Sequence, residues 1–262
     1  MRAAMPAVMP EANPRVLSRL EELIGSNLST HAMFRIGMIL SIPMTILFAT
    51  ELFDYQIRFF PPRIVKMRRR WNAKAVAMMA MTAALSVILQ AVSAILVLIP
   101  GFLTFRADAL VRFPFGAIFG MPAVWGVAVA NLLGDALTGS LSPGSIAGAI
   151  VSWWMGYLFY RLYRGPKDYC MEKKSSWIKY YSVVVLWCVL GSFYLCTNFS
   201  YLRLFPDSLI WTAIFPAVGV TTFVGGLLGP LVARVVGPAA ERYGLSRDEM
   251  GYEKSETLEQ SA

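Results

Sequence analysis

Histidine occurs once in this chain and cysteine three times. The lone His31 has no second histidine with which to build a metal site. Cys170, Cys188 and Cys196 lack metal-type spacing, and the last two fall in an apolar run, where cysteine acts as a small buried hydrophobe. Charge is scarce: charged residues are 15% of the chain, against 56% hydrophobic. The mean hydropathy of +0.55 does not describe a soluble domain. No GxSxG, HExxH or P-loop stretch is present, so neither a catalytic role nor a resident cofactor or metal is expected. If ATP is used, another subunit must supply it. Nor do the apolar runs alternate with period two, which excludes a transmembrane barrel.

What is present is a series of apolar runs close to the roughly 20 residues that cross a bilayer. In lipid the backbone must pair within helices, so the class is an all-α polytopic membrane protein. The net charge of +8 would suggest nucleic acid in a soluble protein. Here the basic residues flank apolar runs, which is the positive-inside pattern, and no nucleic acid partner is expected. Residues 1–30 mix charges without a compact apolar core and read as a tail rather than a secretory signal, with a short amphipathic piece at 16–24.

The first apolar run, 31–52, is interrupted by Pro43 and is an extra N-terminal segment that spans with a kink or lies at the interface. The densest basic stretch, 57–74, follows as a cytoplasmic linker beside anionic lipid heads. Spans are then expected at 74–100, 146–163, 177–197 and 209–236. The stretch 104–137 is long for one helix and carries Pro114 and Pro122. Read as two short helices meeting near 120–122, it puts every basic segment on one side of the membrane. The expectation is a six-helix core over 74–237, an N-terminal extension over 1–73 and a cytoplasmic tail over 238–262.

Asn131 and Asp135 lie four apart on one helix face, at the end of a stretch, 113–130, without a single charge. Ionisable groups at membrane depth face protein or water and have partners. The nearest opposite charges in this topology are Arg106 and Arg112. The group reads two ways, as a clasp between short helices or as the polar wall of a substrate pocket. Ser145, after the Ser142-Pro143-Gly144 turn, is placed to cap the next span. Trp153, Tyr157, Tyr194 and Asn198 offer aromatic and polar groups in the outer half of later spans, suited to a flat organic ligand. Ala73, Ala77, Ala80 and Ala84 form a smooth helix face, either an internal contact or a docking face for another subunit.

The run 115–164 resembles the substrate-binding (S) subunits of energy-coupling-factor (ECF) transporters. The matching pieces are FGMP at 119–122, ANLLGD at 130–135, SPGS at 142–145 and GYLFYR at 156–161. The segment 225–250 resembles the last helix and tail of the same kind of protein, and the alanine face resembles the surface by which S subunits dock on the transmembrane (T) subunit. FGMP stands where FGP is commoner, and the 1–71 extension is additional. The resemblance implies a component of the bacterial cytoplasmic membrane with its C-terminus inside. It would bind a vitamin-like small molecule and work with a T subunit and two cytoplasmic ATPases. The expected ligand contacts are Arg106, Asn131, Asp135, Trp153, Tyr157, Tyr194 and Asn198. The alternative is a non-transporting membrane scaffold or anchor subunit of another complex, working through the N-terminal extension.

Overall fold

The computed structural model describes residues 30–59, 62–93, 97–99, 103–104, 106–137, 139, 141–163, 165–250 and 252–255. The amphipathic piece expected at 16–24 lies outside the described residues. The described chain is mostly helical: α1 (Thr30–Leu52), α2 (Ala73–Ser93), α3 (Ala109–Phe119), α4 (Met121–Leu137), α5 (Pro143–Leu162), a short α6 (Pro166–Tyr169), α7 (Lys174–Tyr201), α8 (Asp207–Gly226) and α9 (Gly229–Arg242). α1, α2, α7 and α8 are long and apolar enough to cross a membrane, and α3 and α4 are shorter apolar helices. The chain is that of a membrane-embedded protein.

The stretch 104–137 folds as two helices. Gly120 ends α3 with φ of 67°, a left-handed backbone that a side chain would strain, and Pro122 opens α4. The two helices run in opposite directions. Arg112 and Gly116 on α3 meet Ser152 and Gly156 on α5 in parallel order, whereas Val124 and Asn131 on α4 meet Gly156 and Ser152 in reverse. α3 and α4 are therefore a helical hairpin with Gly120 at its tip. A Cβ on Gly116 would collide with the carbonyl of Gly156, so glycine is what lets α3 close on α5.

The last expected span, 209–236, is not one helix. The chain breaks at Leu227–Leu228, and Pro230, which has no N–H to donate, sits in the first turn of α9. α9 buries Ala233, Gly237 and Ala240 and exposes Leu231 and Val235. Within α8, residues Ile210–Ile214 form a π-turn. Its cause is Pro216, which removes a rung of the α-ladder.

The basic linker is not all coil. Tyr55, Ile57 and Phe59 alternate with Gln56 and Arg58, and the segment folds as an antiparallel hairpin of β1 (Tyr55–Phe59) and β2 (Pro62–Arg69). A second short pair, β3 (Val97–Ile99) and β4 (Leu103–Thr104), follows α2. β5 (Glu253–Ser255), from the C-terminal tail, pairs with β2. Linker and tail thus form one three-stranded sheet. The basic residues gather at this end: Lys74 Nζ donates to the Gly244 carbonyl, Arg161 to that of Ile57, and Arg247 to those of Tyr160 and Tyr163.

Candidate functional site

α5 organises the interior because its two faces differ. One face is small and polar: Ser145, Gly148, Ser152 and Met155 follow at intervals of three and four. The other carries Trp153, Trp154 and Tyr157. Small side chains leave space, and a cavity of about 440 Å³ opens beside the first face. α4 contributes Asn131 and Asp135 to it, α7 contributes Trp187, Leu195 and Phe199, and α8 contributes Val218, Thr221 and Thr222. Arg106 reaches in from the turn before α3. The start of α5 is held by Ser145, whose Oγ accepts from the Ser142 backbone N–H at 3.0 Å.

The polar end of the cavity belongs to a buried network. Asp108, whose side chain is 1% exposed, accepts from Arg106 Nε at 3.2 Å and Nη2 at 3.1 Å, and pairs with Arg112 Nη2 at 2.8 Å. Arg112 is fully buried and also donates to Ser152 Oγ at 3.1 Å and Gln90 Oε1 at 3.3 Å. The Ser152 hydroxyl donates a hydrogen bond to Asn131 Oδ1 at 3.0 Å, and Asn131 Nδ2 reaches Asp135 at 3.5 Å. Five segments are tied through one chain of bonds. Ser152 lies nine residues into α5, about 13 Å along the helix at 1.5 Å per residue, so the network sits deep in the bundle.

The clasp is therefore built differently from the simplest reading of the sequence. Both arginines meet Asp108, while Asp135 joins through Asn131. The signal for Asp108 was available, because Asp108 and Arg112 are four apart on one helix face. Gln90 and Ser152 carried no such signal, since each is one uncharged polar residue in an apolar helix.

The seven expected ligand contacts separate into two groups. Arg106, Asn131 and Asp135 line the cavity. Trp153, Tyr157, Tyr194 and Asn198 do not; they turn toward α1 or their own helix. Trp153 is fully buried, stacked on Tyr157 at 4.2 Å and edge-on to Phe48 of α1. The Tyr157 hydroxyl donates to Glu51 at 2.6 Å, and the Tyr194 hydroxyl shares a 3.1 Å bond with Thr45. Asn198 donates to the Tyr194 carbonyl and borders a shallower groove between α1 and α7. The physical reason is volume: aromatic side chains fill the seam where α1 packs, and the open space lies where α5 is small.

Glu51 is the centre of a second buried cluster. Its carboxylate pairs with Arg69 of β2, which also reaches Asp54 at 3.0 Å. This cluster joins α1, the sheet and α5. Ala73, Ala77, Ala80 and Ala84 are all exposed, while the opposite face of α2 packs on α4, where Gly126 admits the Met79 carbonyl. Among the described residues no group of histidine, cysteine and carboxylate side chains could hold a metal ion. Comparison of the chain with family models, with curated proteins and with solved structures returns no match.

Proposed function

We propose that this chain is the membrane-embedded solute-binding component of an ECF-type importer, energised through a T subunit by separate ATPases. The observation that carries the reading is the cavity. It is about 440 Å³, within the range of small-molecule sites, with a few convergent polar groups and an otherwise apolar wall. It lies toward the end of the bundle opposite the basic sheet and loops. By the positive-inside pattern the basic end is cytoplasmic, and the cavity then faces the source of the solute in a bacterial cytoplasmic membrane. The exposed alanine face of α2 offers a T subunit a surface of close approach.

The test is mass spectrometry of the protein purified from its own membranes in mild detergent. A T subunit, two ATPases and a retained vitamin-like small molecule are expected. An unrelated membrane complex with no small molecule would overturn the proposal in favour of a scaffold. In the same preparation Asp135→Ala should lose the small molecule while still inserting, because Asp135 lines the cavity.

A further inference from the structure

A second pocket, of about 330 Å³, lies at the basic end of the bundle and shares no lining residue with the solute cavity. Its walls come from β1 and β2, the tip of the α3–α4 hairpin, the end of α5 and the C-terminal tail. Three kinds of hydrogen-bond donor meet there with no acceptor to match them.

The first is the start of α4, where Gly120, Met121 and Pro122 line the pocket. The opening N–H groups of a helix have no partner within it. Pro122 has no N–H, and those of Met121 and Ala123 meet no acceptor among the described residues, although both residues are buried. The second is Gln56 of β1. It lines the pocket, is only 6% exposed, and its amide makes no hydrogen bond among the described residues. The third is Arg247. Its Nη1 is engaged by the Tyr160 and Tyr163 carbonyls, and its Cζ lies 4.4 Å from the centre of the Tyr160 ring. These contacts fix the guanidinium and leave Nη2 without a hydrogen bond among the described residues. One carboxylate borders the pocket: Asp248 stands 3.8 Å from Arg247 Nε, with its side chain 63% exposed. So exposed a pair is weak and screened by water.

A helix N-terminus carries partial positive charge and favours anions, and a guanidinium matches their paired oxygens. A fixed amide beside them adds a donor on a third side. We infer that this pocket binds a phosphate group, its oxygens shared among the α4 N-terminus, Gln56 and Arg247. Two sources carry that chemistry: free phosphate, and the headgroup of an anionic lipid, which basic residues at a membrane surface attract. The inference stands whether or not the solute-binding reading holds.

The test follows the thermal unfolding midpoint of the full-length protein. In mild detergent it is titrated with inorganic phosphate, and with acetate at matched ionic strength. In parallel it is placed in phosphatidylcholine nanodiscs with and without phosphatidylglycerol. Phosphate or phosphatidylglycerol should raise the midpoint, and acetate should not. A response to phosphatidylglycerol alone assigns the site to a lipid headgroup, and a response to inorganic phosphate alone assigns it to the free anion. Gln56→Glu keeps the shape and places a like charge against the ligand, so it should weaken the response at least about tenfold. Asp248→Asn removes the competing carboxylate from an exposed position and should strengthen it. Should Gln56→Glu fail to fold, Asp248→Asn carries the comparison. No shift with phosphate or phosphatidylglycerol, an equal shift with acetate, or a wild-type response in the folded variants overturns the inference.

Discussion

Replacing Asp108 by asparagine should cripple the stability of this protein more than any change at Asp135. Asp108 accepts three short bonds from two arginines, and Arg112 is fully enclosed. Asparagine keeps the shape and removes the charge, leaving Arg112 buried without a counter-ion. Breaking a buried pair in this way costs about 3–5 kcal/mol. At about 2–4 °C per kcal/mol for a chain of this size, the midpoint should fall by roughly 6–20 °C. Asp135 lines the cavity, and its side chain is less enclosed than that of Asp108, so Asp135→Asn should cost less than Asp108→Asn. The assay is the fraction remaining monodisperse by size-exclusion chromatography after heating in detergent. A second comparison isolates the charge: Asp108→Leu combined with Arg112→Met removes both partners and should recover at least half of the loss. If Asp108→Asn and Asp135→Asn are equally mild, the network is not what joins α3 to the bundle.

Gly148→Val should abolish retention of the native solute, because a Cβ at that position would sit 2.6 Å from Asn131 Nδ2; a mass spectrum still showing the ligand would refute this. Tyr157→Phe should cost about 2 kcal/mol, the worth of a bond to a charged acceptor, and should speed proteolysis between α1 and α2; unchanged cleavage would separate the Glu51 cluster from sheet anchoring. Cys170 lies in the loop between α5 and α7, and burial, with Glu241 and Glu172 nearby, pushes its thiol up to about 11. The folded state thus keeps a proton that the unfolded state releases near 9, so this contribution to stability is full below pH 9 and fades as pH rises through 11. Maleimide at pH 8 should therefore leave Cys170 unmodified in the native protein and label it after denaturation, a pattern read by peptide mass mapping.

The sequence makes some of this structure legible and hides the rest for identifiable reasons. Gly120 and Pro122 announce the α3–α4 hairpin, because one permits a left-handed turn and the other suits the start of a helix. Arg106, Asn131 and Asp135 stand out because polar groups are rare in so apolar a chain. The β1–β2 hairpin was masked by its charge: seven basic residues within 57–74 dominate the reading, although apolar and polar residues alternate through Tyr55–Phe59. The aromatic residues misdirect for a different reason. They signal dense packing, and a cavity is where dense packing fails, so the informative residues on α5 were Gly148 and Ser152 rather than Trp153 and Tyr157.

The two buried ionic clusters divide the labour of the bundle between the two faces of α5. On one face Ser152 connects to Arg112 and Asn131, and the cavity opens beside them. On the other face Tyr157 connects to Glu51 and through it to Arg69, beside a more open pocket of about 300 Å³. Buried charge is a poor source of net stability, because desolvation offsets most of the attraction. Its value here lies in register. Apolar helices in lipid have little to choose between one sliding position and the next, since lipid and leucine are equally apolar. Arg112, held by Asp108, sets the height of α3 against α5 through its bond to Ser152, and Glu51, held by Arg69, sets the height of α1 against α5 through the Tyr157 hydroxyl. A cavity a few ångströms out of register would lose Arg106 or Asp135 from its wall, so the clusters that do not touch a ligand still set the geometry in which one is held.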